Sequence, residues 1–326
     1  MQNYLYCFDS NYNIQATCSI YSLLKHNKSK VNIFIIHKNP ESFKKYLSKI
    51  NKFKNVNSIN IFKFNFDENN FPNIEKSHVS EATYYRFYID DYVPSEIKDL
   101  MYIDADIICK KDLSKTYYDC MENLEASKKI ISVRTEKLKQ SISKVVSDDK
   151  NDFLRLNLKS DKYFNAGVMA INFERWIENK IKNSLLETQT KIEDKILLWD
   201  QDVLNSYFDG NYTELDNNLN FDMTISVDNE MNIEYSKNLS QDKINKAILL
   251  HYSGKSKPWS VKGILHPLSK YYQEIYHEIF KKRYHIQNNW KKLAIKQAIE
   301  IISKKKISKI QYPVSFFTNF LRYLLK

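Results

Sequence analysis

Apolar residues gather in short, nearly continuous runs, and the stretches between them carry helical spacing. Residues 4–8 (Tyr-Leu-Tyr-Cys-Phe) are the first run, ending at Asp9, with Ser10 and Asn11 reading as a turn. From 14 to 26 the apolar positions Ile14, Cys18, Tyr21 and Leu24 follow a helical period. Residues 31–37 predict a second strand, Pro40-Glu41 opens a helix running to about Phe53, and Ile59–Phe64 predict a third strand. Strands that are apolar throughout, alternating with helices, predict an α/β fold whose parallel sheet is covered on both faces. Further on, Ser80–Phe87 reads as helix, Leu100–Ile103 and Ile130–Val133 as strands, and Tyr163–Phe173 as strand-rich. Helices near Trp176–Lys180 and over Trp199–Phe208 precede a late strand, Ala247–Tyr252. Residues 137–160 are polar and rich in Lys and Asp, and read as a surface excursion or lid. After His266-Pro267 the pattern is helical to the last residue, broken at Pro313.

In such sheets ligands bind beyond the carboxyl ends of the strands. Neither a dinucleotide fingerprint nor a P-loop follows the first strand. What stands at strand ends instead is Asp9–Asn11 and, after Tyr102-Ile103, the pair Asp104-Ala105-Asp106. Two carboxylates one residue apart repel each other unless a cation lies between them. Their hard oxygens suit Mg²⁺ or Mn²⁺, which would also neutralise a phosphate leaving group. A solvated turn without metal is the competing reading. His251 ends the late strand and opens His251-Tyr252-Ser253-Gly254-Lys255-Ser256-Lys257-Pro258-Trp259. A neutral imidazole there completes a metal shell, Gly254 permits close backbone approach, Lys257 offers an ammonium to diphosphate oxygens, and Trp259 packs under the loop.

Other polar residues sit in apolar settings. Asn165 and Gly167 lie within Tyr163–Asn172, where a buried amide needs partners. Asp200-Gln201-Asp202 follows Trp199, more polar groups than one helix cap requires. These residues read either as a structural network or as groups facing a sugar. Arg86, in Thr83-Tyr84-Tyr85-Arg86-Phe87, pairs with one of these acids or with a phosphate.

The order of these segments resembles the family 8 glycosyltransferases, which include bacterial lipopolysaccharide and lipooligosaccharide galactosyl- and glucosyltransferases. The resemblance covers about residues 4–266 and rests on Phe8–Tyr12, Thr83–Arg86, Tyr102–Asp106, Phe164–Asn172 with Asp200–Asp202, and His251–Trp259. It implies a GT-A type nucleotide-diphospho-sugar transferase fold, with a mixed, mainly parallel central sheet. By the same likeness, Asp104, Asp106 and His251 are ligands of Mn²⁺, with Mg²⁺ the alternative. Phe8, Asp9, Asn11 and Tyr12 hold uridine, although relatives often have an acid where this chain has Ser10. Ala105 lies beside the ribose and metal, and Gly254 and Lys257 at the diphosphate. Arg86, Asn165, Asp200 and Gln201 surround the donor sugar, and His78 falls on the acceptor side. The implied reaction is retaining transfer of galactose or glucose from UDP-galactose or UDP-glucose to a saccharide or glycolipid acceptor. Gln201 occupies the place a nucleophile would need; an amide is a poor nucleophile, which favours attack from the face the leaving group vacates.

Charge adds one feature. Residues 281–326 carry twelve Lys or Arg against the single acid Glu300, the whole of the +11 formal excess over 326 residues. An appended basic segment, with Trp290, Leu293, Ile295, Ile299, Ile302 and Ile310 and then Phe316, Phe317, Phe320, Leu321, Leu324 and Leu325 at helical spacings, suits an anionic membrane surface rather than nucleic acid. The expected organisation is a catalytic domain over 1–270 and a basic amphipathic helical tail over 271–326. No apolar run is long enough to span a bilayer and nothing near Met1 reads as a signal peptide, so the expected location is cytoplasmic, peripheral on the inner face of the cytoplasmic membrane. The spacing of the four cysteines, at 7, 18, 109 and 120, fits neither a zinc site nor a disulfide framework. Two rival accounts remain at this level: a non-catalytic nucleotide-sugar or glycan-binding module with a membrane- or partner-binding tail, and a metal-dependent phosphoesterase or nucleotidyltransferase.

Overall fold

The structure is a computed structural model that describes residues 1–65, 71, 80–141, 151–222, 225–227, 233–235, 241–254, 257–287 and 291–325. These form two compact units, one of residues 1–221 and 225–251, the other of 222–224 and 252–326.

In the first unit, β1 (Gln2–Phe8), β2 (Val31–His37) and β3 (Val56–Lys63) alternate with α1 (Asn13–His26) and α2 (Pro40–Ile50). A 3₁₀ run, Glu81–Asp91, precedes β4 (Asp99–Ile103), β5 (Ile107–Cys109) and α3 (Ser114–Ser127). Then come β6 (Ile131–Leu138), α4 (Asp152–Arg155), β7 (Lys162–Asn172), α5 (Phe173–Glu178), α6 (Ile181–Lys191) and α7 (Trp199–Phe208). The unit continues with β8 (Thr213–Glu214), α8 (Gln241–Lys246) and β12 (Leu249–His251); between β8 and α8 lie β9 (Phe221–Asp222), β10 (Ile225–Val227) and β11 (Ile233–Tyr235).

The main sheet has seven strands in the order β3-β2-β1-β4-β7-β6-β8. Pairs β3–β2, β2–β1, β1–β4 and β6–β8 are parallel, while β7 is antiparallel to β4 and to β6. The mixed, mainly parallel sheet agrees with the sequence reading. β1 and β2 are buried at every position, which is why they read as unbroken apolar runs. Parallel β1, β2 and β4 place Phe8, His37 and Ile103 at one edge, where the candidate chemistry lies.

His37 stands at that edge, fully buried, and takes the Asn39 N–H on Nδ1 at 2.8 Å. Its Nε2 therefore carries the proton toward Asn13 Oδ1, 2.9 Å away. Burial pushes its pKa down to about 4, against the pull of Asp9. Because this folded value lies below the ordinary one of ~6.5, the unfolded chain takes up the proton first as pH falls. Stability is therefore expected to drop between about pH 6.5 and pH 4 and to level off below. Urea midpoints across that window should fall less for His37→Gln than for the parent; parallel curves would contradict this.

Three expectations need correction. Residues 151–160 are not a surface excursion: Phe153, Leu156 and Leu158 are buried in the main core, and Arg155 pairs with the fully buried Asp202 at 2.8 Å. Three apolar anchors among lysines are enough to dock this short stretch. Of the rest of the expected lid, Lys137 and Leu138 end β6 and Lys139–Ser141 form a 3₁₀ turn, while residues 142–150 lie outside the described residues, as do His78 and Trp290.

The second unit holds α9 (Ser269–Phe280), α10 (Lys291–Ser303) and α11 (Pro313–Leu324). The helix after Pro267 is interrupted well before Pro313: α9 ends at Lys281 in the left-handed region, φ 56°. Trp259 is buried against Tyr272, with ring centroids 4.9 Å apart. Phe316 and Phe320 turn inward onto Val261, Ala294, Ala298, Ile301 and Ile310. They are therefore not part of an outward face, because the small Ala294 and Ala298 leave room for their rings. Leu293, Ile295, Ile299, Ile302 and Leu321 are exposed.

Candidate active site

The site is built where β4 gives way to β5. The Asp104 N–H donates to Gly167 O at 2.9 Å, and the Ile107 N–H closes a turn onto Asp104 O at 3.2 Å. β5 then runs antiparallel to β12 with Ile107 opposite His251. That register carries the imidazole to the two carboxylates. Its Nε2 lies 3.4 Å from Asp106 Oδ1 and 3.9 Å from Asp104 Oδ2. One donor atom from each of the three residues lies within 4.8 Å of the others. An ion with bonds of ~2.1 Å holds its ligands no more than ~4.2 Å apart, so small side-chain shifts close the shell. Two carboxylates and one imidazole suit Mn²⁺ or Mg²⁺ better than a soft, thiolate-seeking metal. Gly167 makes the approach possible: a Cβ there would stand 2.8 Å from His251 Nδ1 and closer still to Cε1.

Arg86 organises one side of this group. Its guanidinium is buried, with Nη2 2.9 Å from Asp104 Oδ1, Nε 3.0 Å from Asp200 Oδ2, and Nη1 donating to Ala166 O at 2.5 Å. It lies 3.9 Å above the Tyr102 ring, and the Tyr102 hydroxyl donates to the same Asp104 oxygen. Burial holds the Tyr102 phenol well above its ordinary pKa, so it stays a donor. Burial by itself would lower Arg86; Asp200, Tyr102 and Asp104 outweigh it and raise the pKa. Burial also pushes Asp200 up to about 6, against the charge of Arg86 and with the repulsion of Asp104. Asp104 Oδ1 is thus engaged by two donors while Oδ2 faces His251.

A second set of contacts joins Asn165 to Gln201. Asn165 Oδ1 accepts from the Gly167 N–H at 3.0 Å, and Gln201 Oε1 accepts from the Ala166 N–H at 3.1 Å. Both side-chain amides then donate to Glu136 Oε2, at 3.3 Å from Asn165 and 3.2 Å from Gln201. Asp202 is not a surface acid. Arg155 binds both its oxygens, the Tyr163 hydroxyl donates at 2.7 Å, and the Leu197 and Leu198 N–H groups at 2.7 Å fix the entry of α7.

The structure therefore brings Asp104, Asp106, His251, Arg86 and Asp200 into one cluster, with Asn165 and Gln201 linked through Glu136. Asp9 stands at the same sheet edge, its carboxylate accepting from the Asn11 N–H at 2.8 Å and Asn11 Nδ2 at 3.3 Å, which shapes the Ser10–Tyr12 turn. Asn11 is exposed and Tyr12 half-buried, whereas Phe8 is buried against His37 and Phe43, and Ala105 is buried too. Gly254 and Lys257 belong to the second unit, where Gly254 takes φ +70° and Lys257 Nζ donates to Tyr252 O at 2.7 Å. Sequence reasoning passed over Tyr102, Glu136, Tyr163, Arg155 and Asn220. Only Tyr102, next to the acidic pair, carried a signal that could have been read.

Comparison with known proteins agrees with this architecture. Residues 3–263 match the family profile described as Glycosyl transferase family 8. The chain is 27% identical over 297 residues to a lipopolysaccharide 1,2-glucosyltransferase of Escherichia coli, covering 90% of this chain and 80% of that one. It is 30% identical over 200 residues to a lipopolysaccharide 1,3-galactosyltransferase of Salmonella typhimurium, covering 59% and 52%. Among solved structures, galactosyltransferase LgtC in complex with donor and acceptor sugar analogs superposes with a TM-score of 0.68 at 19% identity, covering 86% of this chain and 96% of LgtC. The shared architecture is the GT-A fold. With its profile spanning most of the length, the chain belongs to glycosyl transferase family 8.

Proposed function

We propose that the protein transfers galactose or glucose, with retention, from a UDP-sugar to a glycan or lipid-linked saccharide acceptor. The observation that carries this reading is the meeting of Asp104, Asp106 and His251 at the carboxyl edge of the sheet. The relatives' names, which specify glucosyl and galactosyl transfer to lipopolysaccharide, support the donor and acceptor classes. A bound Mn²⁺ or Mg²⁺ would offset the charge released on UDP as the sugar departs.

The remaining work falls to this chain's own groups. Arg86 holds Asp104 and Asp200 in fixed relation, and Asp200 and Asn165 supply acceptors and donors for sugar hydroxyls. Gln201 cannot serve as a competent nucleophile, since it is an amide whose carbonyl already accepts from Ala166. It orients the donor sugar and leaves the vacated face to the acceptor hydroxyl, whose proton passes to the departing diphosphate as the bond to UDP breaks. Asn11 and Tyr12 present themselves to the uridine.

Among the described residues no helix is long and apolar enough to cross a membrane. We place the protein at a membrane surface through α10 and α11. On α10, exposed Leu293, Ile295, Ile299 and Ile302 are interleaved with exposed Lys291, Lys292 and Lys296.

The test pairs transfer with location. Purified protein, a panel of UDP-sugars and Mn²⁺ should yield UDP and a glycosylated acceptor, with activity abolished by chelation. UDP binding without turnover would favour a non-catalytic module, and release of a sugar phosphate a different reaction. Vesicles containing anionic phospholipid should sediment the full chain. Lys292→Glu with Lys296→Glu should weaken that association more than ~10-fold, at about 1 kcal/mol for each basic residue. Equal sedimentation would reject the membrane assignment.

A further inference from the structure

We infer that Asn220 is a positioning residue that sets the tautomer of His251 and so prepares its Nε2 as a ligand for a divalent ion. The inference rests on the metal-site reading above and adds a residue to it.

A backbone N–H can only donate. The Gly167 backbone N–H points at Asn165 from 3.0 Å, so the Asn165 atom facing it is the oxygen. That same oxygen lies 2.9 Å from the Asn220 amide, so Asn220 must turn its NH₂ toward it. The other end of the Asn220 amide is then its carbonyl oxygen, 2.9 Å from His251 Nδ1. An oxygen there accepts, and Nδ1 must carry the proton. In the neutral ring Nε2 is then the unprotonated nitrogen, and it is Nε2 that faces Asp106 and Asp104. One backbone N–H thus dictates, through two amides, which imidazole nitrogen has a lone pair to give.

The surroundings make this chain rigid. Asn220 is fully buried, and Asn165 and His251 are nearly so. A flipped Asn220 would set oxygen against oxygen at Asn165, a repulsion between two buried groups. The other end of the relay is fixed as well: Asn165 passes its NH₂ to Glu136, and Gln201, whose own polarity is set by the Ala166 N–H, donates to the same carboxylate oxygen. Ligand imidazoles are commonly oriented through a hydrogen bond from the opposite ring nitrogen. A neutral amide does this without adding a third negative charge to the two aspartates.

The full-length protein labelled with ¹⁵N at histidine tests the inference directly. In metal-free wild type at pH 8, long-range ¹H–¹⁵N correlations should show His251 protonated at Nδ1, with the signal assigned by its absence in His251→Gln. A ring protonated at Nε2 would overturn the inference, whatever the metal does. Calorimetric titration with Mn²⁺ adds a second readout. Asn220→Leu is expected to raise the Kd roughly 10- to 100-fold. Asn220→Asp, which keeps an oxygen against Nδ1 but sets its other oxygen against Asn165 Oδ1, should bind at least about threefold more tightly than Asn220→Leu. Leu and wild type binding alike would refute the role of Asn220 and leave the metal site standing. Loss of binding in both variants alike would refute it too, since a merely structural role predicts that result. Wild type that takes up no Mn²⁺ would remove the metal site, and this inference with it. Should Asn220→Leu fail to fold, the wild-type tautomer still decides.

Discussion

Asp104→Asn is expected to lower metal-dependent sugar transfer by about 10²–10³-fold, in line with removing one preorganised electrostatic group. The amide matches the carboxylate in size, but Oδ1 accepts from Arg86 and from Tyr102. The substituted side chain will keep its carbonyl toward those donors, which turns its NH₂ toward His251 and the ion. A ligand oxygen is then replaced by a donor and a negative charge is lost. Because the carbonyl contacts survive, the protein should unfold at nearly the same urea concentration as the parent. Initial rates at saturating donor and increasing Mn²⁺ check this. Activity within about tenfold of wild type would be too small an effect for a metal ligand.

Arg86→Leu should act in the opposite order, on stability first. The arginine is nearly inaccessible and lies between two carboxylates, Asp200 on Nε and Asp104 on Nη2. Removing it leaves buried acids without a counter-charge, a loss of about 3–5 kcal/mol. Asp200, already pushed up to about 6 by burial, should then take up a proton near neutral pH. Equilibrium urea unfolding gives the first number. The double variant Arg86→Leu with Asp200→Asn should recover part of the loss, since it removes the stranded charge. A single variant less than 1 kcal/mol below wild type, or a double variant no better than the single, would show that this pair does not hold the site together. Arg86→Lys should rescue little, since one ammonium cannot span Asp104, Asp200 and the Ala166 carbonyl at once.

How far the sequence led depended on where each residue's surroundings come from. β1, β2 and β4 were legible because strands buried on both faces have no polar alternation to obscure them. Asp104 and His251 were legible because each ends such a run. That they meet was not: it depends on β5 and β12, three residues each, pairing in one register. No local period encodes a ladder so short. Asn220 was invisible for a related reason. It sits among the polar residues Asp216, Asn217 and Asn218, where asparagine ordinarily means a turn. Only the tertiary fold buries it against His251. Glu136 shares its strand with Arg134 and Lys137 and looks like part of a solvated face; its two amide donors come from β7 and α7. The lysine-rich stretch from 137 misled in the other direction, since its charges outnumber the few anchors that dock residues 151–160. The tail was half legible: its basic charge and exposed α10 face are plain, while the inward turn of Phe316 and Phe320 depends on the alanines opposite them.

On the proposed reading, two carboxylates and one imidazole share a single ion beneath a nucleotide diphosphate. Crystals of the full chain grown with Mn²⁺ and UDP, measured at the manganese absorption edge, address it most directly. One anomalous peak within bonding distance of Asp104, Asp106 and His251 Nε2, with diphosphate oxygens on its open side, is the predicted result. UDP bound with that position empty, or manganese held by other residues, would contradict it.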